Sequence, residues 1–232
     1  MSTFVLVPGG FHGGWCYSRV ARLLRAAGHE VYTPTLTGLG ERSHLLSEAV
    51  NLETHIQDIV NLILWEDLHD VVLGGHSYAG FVITGVADRL PGRIAALAYI
   101  DAVIPSDGEA VMDQTPKPAK DAVLASVVAH GGYVIPPFPS DSWVNAADRG
   151  WVDSKCTPHP LACLQQPIRL SGAYRKIGRR VFIYAVGWAE DGHYQKYARE
   201  PGCIVRGIEN TRHDIMLDQP QALANVLVET ST

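Results

Sequence analysis

Short apolar runs rich in β-branched residues alternate with segments of helical periodicity along most of this chain. The strand-like runs are residues 4–7, 31–33, 71–73, 94–100, 181–186 and 204–205. The helical segments are residues 17–27, 52–65, 78–90, 194–199 and 220–229. Strands that alternate with helices predict an α/β fold with a mostly parallel, doubly wound sheet of about six strands.

The alternation stops between residues 103 and 176. This stretch holds nine of the 14 prolines, together with scattered aromatic residues such as Trp143. Its tryptophans and apolar turns distinguish it from a disordered linker. Ligands of open α/β folds bind at the carboxyl edge of the sheet. We therefore predict a single domain over residues 1–232, with residues 103–176 inserted as a cap over that edge.

A tight turn joins the third predicted strand to the next helix. Its sequence, Gly75-His76-Ser77-Tyr78-Ala79, fits the nucleophile elbow G-x-S-x-G, with Ala79 in the last glycine position. Small residues on either side allow the turn to raise the serine hydroxyl above the sheet, beside the positive end of the helix. The pattern favours Ser77 as a nucleophile over a serine that only caps the helix. His76 is expected to pack locally, without a catalytic function.

A serine nucleophile needs a base, and the base needs an acid. His213 follows the last predicted strand and precedes the last helix, which suits the chain order Ser, acid, His of this elbow. The acid is expected after the strand at 181–186, where Asp191 is the first choice and Glu190 the second. Asp101, at the end of the fourth strand, is a third candidate.

Acyl transfer also needs donors for a developing oxyanion. One is the backbone N–H of Tyr78, the residue after the nucleophile. The other is expected from the loop after the first strand, where residues 8–15 include four glycines. Glycines let the backbone approach a ligand closely. The loop matches neither phosphate-binding glycine pattern.

Metal, cofactor and nucleic-acid functions find no support in the composition. The net charge is −5 and no large basic patch is present, which argues against nucleic acids and anionic membranes. The four cysteines show no zinc spacing, and Cys16 is expected to pack in apolar surroundings. The remaining histidines show no ligand spacing and are expected to be satisfied or solvated. They are His12, His29, His44, His55, His69, His130, His159 and His193.

Targeting signals are also missing from the sequence. No secretory leader precedes the first strand, and no apolar run reaches the roughly 18 residues of a membrane span. A cytoplasmic location with free thiols is the expectation. The sequence leaves the monomer and the homodimer open.

Taken together, the motifs resemble those of the small α/β-hydrolases that include plant methyl-salicylate esterases, hydroxynitrile lyases and bacterial relatives. The resemblance is carried by residues 4–15, 26–31, 75–80 and 213–217. It implies the α/β-hydrolase fold, an oxyanion donor at the N–H of Gly10, and Phe11 beside it in the pocket. Pro8 departs from the histidine usual before that glycine loop.

The lyase branch resembles this chain less well. It looks to require a lysine directly after the catalytic histidine and a threonine in the first glycine loop, where this chain has Asp214 and Gly9. Cyanohydrin cleavage is therefore not expected.

The expected activity is hydrolysis of a small methyl or aryl carboxylic ester through an acyl-enzyme on Ser77. The alternative is cleavage of a carbamate or amide of a small aromatic, xenobiotic substrate by the same residues. A lyase and a non-catalytic small-molecule receptor are the remaining readings. Phe11, Phe81 and Trp143 are the expected pocket residues, with Phe138 beside them.

Overall fold

A computed structural model describes residues 1–188 and 202–231 of the chain. Its strands are β1 (Thr3–Val7), β2 (Glu30–Tyr32), β3 (Val71–His76), β4 (Ile94–Ile100), β5 (Val134–Ile135), β6 (His159–Pro160), β7 (Arg179–Ala185) and β8 (Cys203–Ile208). Six of them form one parallel sheet in the order β2-β1-β3-β4-β7-β8. The short strands β5 and β6 form an antiparallel ribbon. The predicted six-stranded α/β sheet is confirmed, and all its described pairings are parallel.

Helices connect the strands and cover both faces of the sheet. They are α1 (Ser18–Ala26), α2 (Leu52–Trp65), α3 (Ala79–Arg89), α4 (Val111–Gln114), α5 (Lys117–Ala129), α6 (Arg149–Asp153), α7 (Leu161–Gln165), α8 (Ile215–Asp218) and α9 (Pro220–Ser231). The predicted helix at 194–199 lies outside the described residues. The other predicted helices match within two residues at each end.

Two apolar layers hold the sheet between the helices. On one face, Ile59 of α2 and Phe81 of α3 are fully buried against β3 and β4. On the other face, Leu24 of α1 and Leu227 of α9 are equally buried. Burial of a side chain of this size contributes about 1.5–3 kcal/mol. The central strands are therefore fixed from both sides.

The strand order brings three loops together. Val7 of β1 pairs with Gly75 of β3, and His76 of β3 pairs with Ile100 of β4. Parallel strands in this register end at the same edge of the sheet. The glycine loop after β1, the turn that holds Ser77 and the residue after β4 consequently meet at that edge.

The segment at residues 103–176, called the cap segment below, lies between β4 and β7 and contributes no strand to the main sheet. It contains α4 to α7 and the β5–β6 ribbon. Thr157 fastens it to the sheet edge, because its N–H donates to the Phe11 carbonyl at 3.0 Å and its hydroxyl accepts from Gly40 N–H at 2.9 Å.

The four cysteines are free thiols, and Cys16 is fully buried in the apolar core, as expected. Within residues 1–188 and 202–231, the helices are too short or too polar to cross a membrane.

Close packing behind Ser77 predicts the effect of one added methyl group. A Cβ at Gly80 would overlap the carbonyl oxygen of Val103, whereas a Cβ at Gly92 would meet no atom within 4 Å. Gly80→Ala is expected to lower the free energy of unfolding by about 1–3 kcal/mol or more. Gly92→Ala, the matched control, should change it by no more than about 0.5 kcal/mol. Urea denaturation of both variants checks this, and equal stability of the two would contradict the packing.

Candidate active site

Ser77 occupies a strained position at the end of β3. Its φ of 53° lies in the left-handed region, which non-glycine residues adopt at a cost. The turn is held by the Ser77 N–H, which donates to the Ile100 carbonyl at 3.1 Å, and by the Ser77 carbonyl, which accepts from Gly80 N–H at 3.1 Å. A Cβ at Gly75 would lie 2.8 Å from the Ala79 carbonyl oxygen, so the turn requires a glycine there.

A cavity of about 300 Å³ opens in front of Ser77 at the carboxyl edge of the sheet. It is lined by Gly10, Phe11, His12, His76, Ser77, Tyr78, Val103, Val111, Phe138, Trp143, His159, Leu164, Trp188 and His213. Phe11 and Phe138 form an edge-to-face pair with ring centroids 5.5 Å apart. A cavity of this size with mostly apolar walls suits a small organic ligand.

Of the three aromatic residues expected in the pocket, Phe11 and Trp143 line this cavity. Phe81 does not, because it is fully buried in the core between α3 and the sheet. The prediction for Phe81 is wrong for a physical reason. It lies one helical turn after Ser77, where the helix faces the sheet and not the cavity.

His213 meets a carboxylate beside the cavity. Its Nδ1 lies 2.6 Å from Oδ2 of Asp101, and the two side chains are 24% and 10% exposed. Burial lowers the pKa of His213, but the hydrogen bond and charge of Asp101 outweigh it and raise the pKa above 6.5. The contact therefore stabilises the protonated imidazole.

The end of β7 holds Asp101 in place. Its N–H donates to the Ile183 carbonyl at 2.6 Å, and its Oδ1 accepts from Ala185 N–H at 3.3 Å. Asp101 also has a left-handed backbone, with φ 44°. The two acids ranked first from the sequence, Asp191 and Glu190, lie outside the described residues.

A second histidine–carboxylate pair lies behind the cavity. His12 Nε2 is 3.0 Å from Oδ2 of Asp214, and His12 Nδ1 is 2.7 Å from the Gly10 carbonyl oxygen. Both partners are acceptors, so both ring nitrogens carry a proton and the ring is positively charged. Asp214 is fully buried. The pair links Asp214, the residue after His213, to the glycine loop that contains His12.

The titration of this second pair follows from its geometry. Burial lowers the pKa of His12, but the charge and hydrogen bond of Asp214 raise it overall above 6.5. Burial raises the pKa of Asp214, but His12 and the neighbouring histidines lower it overall below 3.8. His76 differs, since burial and the adjacent His213 lower its pKa to about 3. His76 is therefore neutral, and its Nε2–H donates to the His213 carbonyl at 3.0 Å.

The two backbone groups expected to bind an oxyanion both border the cavity, at Gly10 and Tyr78. Neither N–H donates to another protein group in the part of the chain that the structure describes. A Cβ at Gly9 would lie 2.7 Å from His76 Nδ1, so the loop packs directly on the turn. The Tyr78 hydroxyl points away and bonds His55 Nδ1 at 3.0 Å.

Seven cavity residues were not assigned to the site from the sequence: the aliphatic Val103, Val111 and Leu164, and the aromatic His12, His76, His159 and Trp188. His12 stands two residues after Gly10, and that proximity was an available signal. His159 comes from the cap segment, where no motif marks it. Trp188 stacks on His213 with ring centroids 5.7 Å apart, although it follows β7 in a loop without a recognisable pattern.

The His12–Asp214 pair predicts that the stability difference between the wild type and Asp214→Asn follows a bell-shaped curve with pH. Asp214→Asn is expected to lower the free energy of unfolding by about 3 kcal/mol, because it leaves His12 without its buried counter-charge. His12 stabilises the fold fully below pH 6.5 and loses this effect as the pH rises through its folded pKa. Asp214 stabilises above pH 3.8 and loses its effect as the pH falls. The deficit is therefore largest between these two values.

Urea denaturation from pH 3 to 9 measures that deficit. Asp121→Asn, in an exposed ion pair with Lys117, is the control and should cost no more than about 1 kcal/mol at any pH. A deficit for Asp214→Asn that does not change with pH would contradict a charged pair.

A model of the alpha/beta hydrolase family matches residues 4–226. A carbendazim hydrolyzing esterase of Nocardioides sp. (strain SG-4G) is 42% identical and aligns over 98% of both chains. Methylesterase 7 of Arabidopsis thaliana is 34% identical over 44% of this chain and 40% of its own length.

Among solved structures, an extracellular alpha/beta-hydrolase from a Paenibacillus species superposes with a TM-score of 0.86. It is 27% identical, and the match covers 99% of both chains. That protein is described as sharing structural and functional homology with tobacco salicylic acid binding protein 2. The cytoplasmic location expected for the present chain stays a prediction.

Proposed function

Since the chain belongs to the alpha/beta hydrolase family and is a hydrolase, we propose that it cleaves small carboxylic esters through an acyl-enzyme on Ser77. One observation carries the proposal. His213 and the strained Ser77 border the same cavity, and Nδ1 of His213 lies 2.6 Å from the Asp101 carboxylate behind it. A base oriented by an acid beside a raised serine is the arrangement that nucleophilic catalysis needs.

The contact with Asp101 sets the tautomer of His213. A carboxylate only accepts, so Nδ1 carries the proton and Nε2 of the neutral ring is left to act as a base. His213 then takes the Ser77 proton as the hydroxyl attacks the ester carbonyl. Asp101 stabilises the imidazolium that forms, and it holds the ring in position through the step.

The oxyanion would be bound by the N–H groups of Gly10 and Tyr78. Each such donor is worth about 3–4 kcal/mol in the transition state. The hydrogen bond that His12 Nδ1–H donates to the Gly10 carbonyl fixes the loop that presents one of them. His213 next protonates the leaving alcohol, and a water activated by the same ring releases the acid from Ser77.

Small esters or carbamates are the substrate class that the relatives support, since they are named as esterases, one of them for hydrolysing carbendazim. The cavity volume and aromatic walls favour an aromatic substrate. A carbamate or amide is the second candidate, because the same residues would carry out its cleavage. Asp214, which stands where the lyases are expected to have a lysine, is buried against His12 and does not line the cavity.

An acyl-enzyme predicts a burst. Stopped-flow mixing with p-nitrophenyl acetate should release about one equivalent of p-nitrophenol in a fast phase before steady turnover, provided that deacylation is the slower step. Ser77→Ala should show no fast phase. Equal slow release from the two proteins would contradict the proposal.

The proposal that Asp101 is the acid predicts how kcat and its pH dependence change when this residue is replaced. Asp101→Asn is expected to lower kcat by about 10³–10⁴-fold, because the amide no longer favours the reactive tautomer. The acidic limb of the kcat/KM profile lies above pH 6.5 in the wild type, since Asp101 raises the pKa of His213. The variant's limb should move to lower pH, because burial then lowers that pKa with only the charge of Asp214 still raising it.

Asp191→Asn and Glu190→Gln are the matched controls and should change kcat by no more than a few fold. A greater loss in either control than in Asp101→Asn would assign the acid to residues 190–191.

A further inference from the structure

Trp188 packs against the imidazole of His213 at the cavity wall. The two rings are stacked, with centroids 5.7 Å apart and ring planes inclined by 27°. Both side chains line the cavity together with Ser77. The face of an aromatic ring is electron-rich and attracts a cation that lies within about 6 Å of its centroid, and tryptophan attracts most strongly. The contact is therefore suited to the protonated form of His213.

The end of β7 fixes Trp188 in this position. Gly187 turns the chain after the strand with a φ of 92°, in the left-handed region that favours glycine. The Trp188 N–H donates to the Ala185 carbonyl at 3.4 Å, and the Ala185 N–H donates to Oδ1 of Asp101 at 3.3 Å. One residue of the strand thus holds both the carboxylate that contacts His213 and the loop that carries the indole.

A single hydrogen bond does not fix the plane of the His213 ring. The contact of Nδ1 with Asp101 holds one edge and leaves the ring able to tilt about that contact. Two aromatic neighbours limit the tilt: Trp188, and His76, whose ring centroid lies 4.5 Å from that of His213. A tilt would displace Nε2 from the line to the serine hydroxyl, and proton transfer depends on that alignment.

We propose that Trp188 is a positioning residue for the base: it holds the plane of the His213 ring and stabilises the imidazolium that forms when His213 takes the Ser77 proton. The inference rests on the proposed reaction at Ser77. Trp188 makes and breaks no bond and acts only through His213. Because His213 is protonated in both acylation and deacylation, the contact favours both steps.

The sign of a pKa shift separates this role from simple exclusion of water. Burial lowers the pKa of His213. If Trp188 only excluded water, its removal would relieve that burial and raise the pKa. If its ring stabilises the imidazolium, removal lowers the pKa. The titratable neighbours of His213 in the described part of the chain are Asp101, Asp214, His12 and His76, and all of them stay in place when Trp188 is replaced.

An NMR titration of the resting protein measures that sign directly. The Cε1–H signal of His213 is followed against pH, and its loss in His213→Gln identifies it among the ten histidines. Trp188→Leu, which keeps an apolar side chain in the wall, should lower the pKa of His213 by about 0.5–1 unit relative to the wild type. Trp188→Phe, which keeps a weaker aromatic face, should give an intermediate value.

Trp143→Leu is the matched control for the loss of an indole from the cavity. Trp143 lines the same cavity, but its ring packs edge-to-face on His12, with centroids 5.5 Å apart. Its replacement should leave the pKa of His213 unchanged within about 0.2 unit, because it leaves the stacked pair intact.

The fast phase with p-nitrophenyl acetate shows whether the contact matters for the reaction. Above the pKa measured for each protein, Trp188→Leu should slow this phase by about tenfold, since the alignment of the base and the stabilisation of the imidazolium are both lost. Trp188→Phe should recover most of the rate. The amplitude should stay at about one equivalent, because Ser77 is unchanged.

The inference is overturned if Trp188→Leu leaves the pKa of His213 unchanged or raises it, if Trp143→Leu lowers that pKa equally, or if the fast phase is not slowed. The proposed function is judged separately, from the burst of the wild type and its absence in Ser77→Ala. A lowered pKa in Trp188→Leu without a wild-type burst would support the contact and reject the acyl-enzyme. A wild-type burst without the pKa shift would do the reverse.

Discussion

The left-handed backbone of Ser77 is the constraint on which the rest of this site depends. Ser77, with φ 53° at the end of β3, is held there by hydrogen bonds to β4 and to the start of α3. The neighbouring glycines, Gly75 and Gly80, pack so tightly against backbone atoms that a larger side chain would not fit. Such strain costs about 1–3 kcal/mol and persists only where the surrounding packing compensates for it. The two buried layers around the sheet supply that packing. Because of this backbone conformation, Ser77 lies in the cavity wall without any movement of the backbone.

Two adjacent residues, His213 and Asp214, each form one of the two histidine–carboxylate pairs of the site. His213 turns to Asp101 at the cavity, while Asp214 turns inward to His12. In the proposed reaction the first pair orients the base, while the second pair fixes the glycine loop through the Gly10 carbonyl. Because both carboxylates raise the pKa of their histidine, each pair is strongest when its histidine is charged. The proposed reaction charges His213 only transiently, whereas His12 stays charged as part of the structure.

The local sequence patterns predicted those parts of the fold that depend on local sequence. Strand and helix periods located the sheet, and the small residues around Ser77 located the turn. The acid was harder to choose, because β4 and β7 are neighbours only through the strand order and both end near His213. Phe81 was assigned to the pocket on residue type alone, although its helical position turns it into the core. His159 reaches the cavity only through the β5–β6 ribbon, a contact between distant segments that no local pattern carries.

The most direct test of the account is the site of covalent capture by diethyl p-nitrophenyl phosphate. A serine activated as proposed attacks phosphorus, releases p-nitrophenol and keeps the diethyl phosphoryl group. Intact-protein mass spectrometry followed by peptide mapping should find one adduct per chain, on Ser77, and His213→Gln should slow its formation by orders of magnitude. An adduct on another residue, or ester hydrolysis that continues undiminished in protein labelled at Ser77, would contradict the account.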